Sequence, residues 1–542
     1  MSASRRARRP ERPRGGGDPA GAIEALSGEE LRCFLRDVLK GLDEELRASL
    51  EDELIARAAK GSVGWKPSGP TARAVAEVAS FAQAARSVGF ADPAEVDARL
   101  RQGTTAFLAG DHAAARAVFE ALLLPVADGE MDLGQHEMVD EVLTVDVHEC
   151  AAQYVASVYA TTPIAARAEA VWGALDAVQG VAALWGPLEA MERAATGPLP
   201  ELDAFLPRWV AHLERQPLVE GEWDSARDRW LREAVLRLEG VAGLERIARG
   251  TRRPETLRAW CQTLAASGEW AEALRAYDEA VSLAGGSDWQ GHFLDGAALA
   301  ARELGRPDAA ERLEAAWLGA PSLVRLLRWL DARGPEGAAL ASRATEAKAR
   351  CPPQAGRQLG LLHLLTGDVR EAADLLAQAP GLGWSDEDHP GHVLFPAFAS
   401  LLARSTGATL PAELLAGLQQ RPRDPWDLDL DELEDEAPGL ATPPIATILE
   451  RSPSDGVDAA GREAMLEAMR LAAERRVEGV LGDKRRRHYG HAALLVACCL
   501  ELAPGVGRHA AVAEWVAALR KRYARFPAFQ EECDRALGST GS

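Results

Sequence analysis

Apolar and polar positions follow one another along this chain with the period of a helix rather than that of a strand. Runs of β-branched and aromatic residues with period two are scarce, which argues against a large sheet. Residues 462–480 read as an amphipathic helix, 489–502 as a helix apolar on most faces, and 510–523 as the helix that closes a pair with it. Ser27 followed three residues later by Glu30 is a capping-box pattern, and one or two helices run from there to about residue 60. A loop rich in Gly, Ser and Pro covers 61–70. Residues 71–195 read as four to six helices, with a stop at Thr162–Pro163, and 196–250 as two or three more. A loop over 381–390 precedes an apolar helix over 393–402.

A longer period lies over this pattern. Five glycines are each followed by alanine five residues on: Gly110/Ala115, Gly268/Ala273, Gly305/Ala310, Gly334/Ala339 and Gly367/Ala372. The last four glycines recur at intervals of about 34 residues, the period of a two-helix repeat. Glycine suits the left-handed turn that ends the first helix of a pair. Alanine in the second helix lets two backbones approach closely. In the 268 unit Tyr277 follows Ala273 on the same face and fills the space above it; Phe119 and Leu376 take that place in the 110 and 367 units. Seven residues before each glycine lie Gly103, Cys261, Ala298, Leu327 and Gly360, four of them small.

This arrangement resembles the tetratricopeptide repeat. The match is best over 268–280, next over 367–379, and covers about 97–125 and 250–382. The units at Gly305 and Gly334 depart from it, with Glu314 and Arg343 where a large apolar residue is usual. The resemblance implies an all-α protein, an α-α superhelix with additional irregular helices and a C-terminal helical cap. It implies a concave wall lined by the first helix of each pair. Counting back from the glycines, the exposed positions on that wall are Arg258, Gln262, His292, Asp295, Arg302, Arg357 and Leu361. They are mixed in sign and do not form the basic clamp by which some family members hold a peptide carboxylate.

Composition adjusts the picture without changing it. With 542 residues the chain exceeds one compact core, and 47% hydrophobic residues suffice for folding. Arginine outnumbers lysine 55 to 6, which reads as the mark of a GC-rich bacterial genome. The net charge of −21 disfavours nucleic acid and anionic membranes as partners. Seven cysteines, an odd number with no Cys-x-x-Cys, read as buried thiols in a reducing compartment. No apolar run reaches membrane-spanning length, and 1–17 has no apolar segment after its arginines, so a cytoplasmic location is expected. The expected organisation is a basic tail over 1–20, an irregular helical region over 21–250, repeats over 251–420, an acidic linker over 421–444 and a C-terminal helical region over 445–542.

Candidate chemistry is sparse. There is no phosphate loop, nucleophile elbow, kinase set or paired-histidine zinc motif. Ser385–His392 combines His389 and His392 with three carboxylates, a weak metal candidate whose consecutive charges point apart. His488 and His491 share a helix face beside four basic residues, where a further cation is disfavoured. Residues 424–436 carry eight carboxylates, with Trp426, Leu428, Leu430 and Leu433 between them, as in acidic segments that dock into grooves. No cofactor is implied. The function expected is a non-enzymatic scaffold or adaptor for protein partners not identified by the sequence. The alternatives are an enzyme or effector with an unfamiliar, metal-dependent site, and a regulatory module touching nucleic acid through the Arg-rich tail.

Overall fold

The computed structural model describes residues 19–61, 64–134, 138–217, 224–332, 337–386, 388–422, 439–451 and 457–539. Those residues form 28 α-helices, and the isolated bridge between Phe90 and Asp132 is their only β-type pairing. The all-α class read from the helical period therefore holds. The chain divides into two compact units, Met1–Gly240 and Val241–Ser542.

The first unit begins with α1 Pro19–Ala25, α2 Gly28–Gly41, α3 Glu44–Lys60, α4 Ala72–Val88, α5 Pro93–Ala109 and α6 His112–Ala127. It continues with α7 Val139–Val142, α8 Val147–Thr161, α9 Arg167–Val178, α10 Pro187–Ala194, α11 Leu202–Arg215 and α12 Ala226–Glu239. The Ser27 capping box starts α2 as its sequence requires, with Glu30 accepting from the Ser27 amide at 2.9 Å. Helices α5 and α6 are the pair around Gly110. There α5 lies so close to α6 that a Cβ on Gly103 would sit 2.8 Å from the Phe119 ring. Further along, Tyr159, Phe205, Trp209 and Trp230 form a buried aromatic run.

The second unit opens with α13 Val241–Thr251, α14 Pro254–Ala266, α15 Trp270–Leu283, α16 Ser287–Glu303, α17 Ala309–Gly319 and α18 Leu323–Asp331. Next come α19 Gly337–Arg350, α20 Gly356–Leu365, α21 Val369–Gln378, α22 Gly391–Thr406, α23 Ala412–Gln419 and α24 Ile445–Glu450. It ends with α25 Ala459–Gly482, α26 Tyr489–Leu502, α27 His509–Arg522 and α28 Pro527–Ser539. From α13 to α21 each helix packs on the next. Helix α14 also touches α16, α18 touches α20, and α20 touches α22, so alternate helices stand side by side.

The glycine turns explain this order. Gly110, Gly268, Gly305 and Gly367 all have left-handed φ, between 63° and 86°. In each turn the amide after the glycine bonds the carbonyl five residues earlier: Asp111 to Ala106, Glu269 to Leu264, Arg306 to Ala301 and Asp368 to His363, all at 2.9–3.0 Å. This is one C-terminal cap used four times. Gly334 lies outside the described residues. Ala115, Ala273 and Ala372 are fully buried, whereas Ala310 and Ala339 in the two divergent units are half-buried. In the unit with Glu314 the missing large side chain arrives one turn later. Trp317 is fully buried, stacks on Trp329 at 5.2 Å between centroids, and donates from Nε1 to Gln358 at 2.7 Å.

After α22 the chain extends the same packing. Helix α25 lies on α21 and α26, and α26 on α28, in one apolar cluster that runs from Ala372 and Leu376 through Met465 and Val477 to Leu502 and Phe529. The expectation that no stretch reaches membrane-spanning length needs correction. Residues 486–506 contain an 18-residue window with a mean hydropathy of 1.4, long and apolar enough by length and composition alone. Their apolar side chains, including Tyr489, Leu495, Val496 and Leu502, belong to that cluster. All seven cysteines are free thiols; five are buried, Cys351 is half-buried and Cys33 is exposed, against the expectation of burial throughout. Burial pushes the Cys498 thiol up to about 12.

Candidate functional site

Helices α14, α16, α18 and α20 are the first members of successive pairs. Two lines of positions recur on them. Arg258, His292, Arg325 and Gln358 follow one another at a near-constant step of about 34 residues. Gln262, Asp295, Arg328 and Leu361 follow at the same step. Equivalent positions on neighbouring, similarly packed helices fall beside each other, so the steps predict two rows.

Hydrogen bonds join the rows. Asp295 on α16 receives Arg325 Nε at 2.8 Å and Arg328 Nη1 at 3.3 Å, both from α18. The three side chains are all largely shielded from water, which strengthens the pairing relative to a surface ion pair. The Arg325 guanidinium lies flat against α16, where a Cβ on Gly291 would come within 2.5 Å of its Cζ. Arg325 also donates to the Ala320 carbonyl at 3.1 Å. His292 stands within the fields of Arg258 and Arg325. Burial first, and then those two cations, lower its pKa to about 4. It is therefore neutral at pH 7. The arrangement is a largely shielded cluster in which guanidinium groups and a neutral imidazole surround one carboxylate, and Arg328 keeps a further donor, Nε, that bonds the Thr442 hydroxyl at 2.8 Å.

Of the positions expected on this wall, Arg258, His292 and Asp295 come together. Gln262 holds the equivalent place on α14 and is half-buried. Arg302 is exposed at the C-terminal end of α16, bonded to Glu303 and to the Gly439 carbonyl at 3.3 Å. Arg357 is drawn away to the loop after α21, where it donates to the Ser385 carbonyl at 2.8 Å. Leu361 is a correction. It is 0% exposed and sits in the apolar cluster of α18, α20, α22 and α24, so it is not a surface available to a partner. Arg325 and Arg328 were missed. One repeat step from His292 and Asp295 leads to both, but counting back from glycine turns loses register at the shortened interval before Gly334.

The weak metal candidate is corrected by its hydrogen bonds. His389 accepts the Gly391 amide at Nδ1 (3.0 Å) and donates from Nε2 to the Pro380 carbonyl (2.8 Å). Both ring nitrogens are used by the chain itself, and the imidazole caps its own loop. His392 is exposed beside it, and Glu387 lies outside the described residues. Trp384 packs against both His389 and His491, at 5.0 and 5.1 Å between centroids, with Arg476 over its ring. Among the described residues no group of three His, Cys, Asp or Glu side chains has metal-holding geometry. Trp426, Leu428, Leu430 and Leu433 of the acidic motif lie outside the described residues. One open cleft of about 620 Å³ lies in the C-terminal helices between α25 and α27, floored by Ala464, Val512 and Trp515 and walled by Glu463, Arg470 and Arg508. Neither a protein-family model nor a curated protein sequence matches this chain.

Proposed function

We propose that the second unit is a tetratricopeptide-like superhelical scaffold that binds a protein segment along the wall formed by α14, α16, α18 and α20, without chemistry of its own. The observation that carries this reading is the pair of side-chain rows that keep the repeat step, joined through Asp295 to Arg325 and Arg328. A helical array that served only as a spacer would need small and apolar residues at the helix crossings and nothing more. Within the two rows, Arg258 on α14 and Arg325 and Arg328 on α18 outnumber the single carboxylate of Asp295 on α16, a local excess of positive charge in a chain of net charge −21. Such a row favours a partner carrying acceptor groups, and repeat arrays present extended surfaces because each pair contacts only its neighbours.

The test is site-specific photo-crosslinking of the full chain in its native cell. A photoreactive residue at Gln262 on α14 is compared with one at Arg275 on α15, whose side chain is exposed on the second helix of that pair. A discrete crosslinked protein at Gln262 and none at Arg275 supports the reading; a crosslink confined to Arg275 sinks it.

A further inference from the structure

Residues 439–451 return to this wall at its apolar end. The Gly439 carbonyl accepts from Arg302 Nη2 at 3.3 Å and the Thr442 hydroxyl accepts from Arg328 Nε at 2.8 Å. Arg451 forms an ion pair with Asp331. Residues 439–444 have no regular structure, and 439–443 make no backbone–backbone hydrogen bond with other described residues. Residues 445–450 form α24, whose only side chains below one-tenth exposure are Ile445 (3%) and Ile448 (0%). These two, three residues apart, share one face. They enter the cluster of Leu326, Leu327, Leu330, Leu361 and Val393.

A six-residue helix does not hold itself together in water, so the order of α24 comes from the wall beneath it. The whole arrangement is that of a bound peptide: an extended lead held by guanidinium donors, then a short helix anchored by two apolar side chains in a groove. It also accounts for Leu361. That row position lies in the same apolar cluster as Ile445 and Ile448 of the chain's own segment.

We propose that residues 439–450 are a resident ligand of this wall, and that the wall takes from another protein a segment of the same chemistry. That segment is an extended stretch with free carbonyl and hydroxyl acceptors, running through proline into a short helix with two β-branched residues three apart. This rests on the reading of the wall as the binding surface.

The probe is a fluorescein-labelled synthetic peptide with the sequence of residues 439–451, followed by fluorescence anisotropy with the full chain. The wild type is compared with the variant Ile445→Asp/Ile448→Asp, which ejects the resident segment. At least tenfold tighter binding to the variant, and at least tenfold weaker binding of a peptide carrying Thr442→Val and Ile448→Asp, are expected. Equal affinity for wild type and variant, or no binding to a variant of unchanged helical circular dichroism, overturns the proposal. Should the variant lose its helices, hydrogen exchange on the wild type decides. Amides of 447–450 exchanging at least tenfold faster than those of α18 support displacement, and equal protection overturns it. A crosslinked partner at Gln262 together with a failed peptide would remove the resident ligand and leave the scaffold standing.

Discussion

Glycine acts in two distinct ways in this chain, and the two are separable by experiment. Gly268 has φ of 72° with nothing within 4 Å of where a Cβ would stand. Gly296 has ordinary helical φ, but a Cβ there would lie 2.2 Å from the Tyr277 ring. Gly268→Ala should cost about 1 kcal/mol through backbone strain alone. Gly296→Ala gains up to about 1 kcal/mol of helix propensity and loses more to the ring, with overpacking typically costing about 1–3 kcal/mol. Urea unfolding should show both variants destabilised, Gly268→Ala by about 1 kcal/mol and Gly296→Ala by up to about 2 kcal/mol; a stabilised Gly296→Ala would show that α15 and α16 do not approach as described. A third residue gives a polar test. Gln358→Leu strands the buried Trp317 N–H and should cost about 1–3 kcal/mol, read from the same unfolding curves. The turns at Gly110, Gly268, Gly305 and Gly367 were legible in the sequence because a left-handed residue has few chemical solutions. Trp317 was not, because a core gap can be filled from either of two successive helical turns.

Helices follow their own local patterns, whereas the partners of each helix do not. The boundaries of α14, α15, α20 and α21 follow from the glycine turns, and α26 from its apolar run. The path of 439–451 back over α18 was not legible: a stretch crowded with carboxylates separates it from α23 in sequence, and short apolar pairs such as Ile445 and Ile448 occur everywhere. The consequence is measurable at Leu361. An exposed ligand-contact leucine would change stability by less than about 0.5 kcal/mol on truncation, and a buried one by about 2–5 kcal/mol. Leu361→Ala should fall in the second range by chemical denaturation, and a change in the first range would return Leu361 to the open wall. The two rows were partly legible for a related reason. Face position is carried by helix register, which keeps one step from Asp295 through Arg328 to Leu361, while the turn between helices shortens and lengthens freely.

Across the whole molecule, acidity and neutral histidines give the pH response a sign. His292 and His491 are both lowered to about 4, by burial first and then by cations: Arg258 and Arg325 for His292, Arg476 and its histidine neighbours for His491. The unfolded chain therefore binds more protons than the folded one once pH falls below about 6.5. Stability is unaffected by these groups above that pH and is lost progressively down to about pH 4. At pH 5 the loss is at most about 2 kcal/mol for each. Thermal unfolding at pH 7 and pH 5 should show the decline, and His292→Gln should reduce it; an unchanged midpoint would place these imidazoles in water.

The proposed binding wall is tested most directly by hydrogen–deuterium exchange on the full chain with and without a protein captured by crosslinking at Gln262. Added protection along α14, α16 and α18 is expected, with faster exchange over 439–450 as the proposed resident segment leaves. Protection confined to α15, α17 and α19, with 439–450 unchanged, would contradict it.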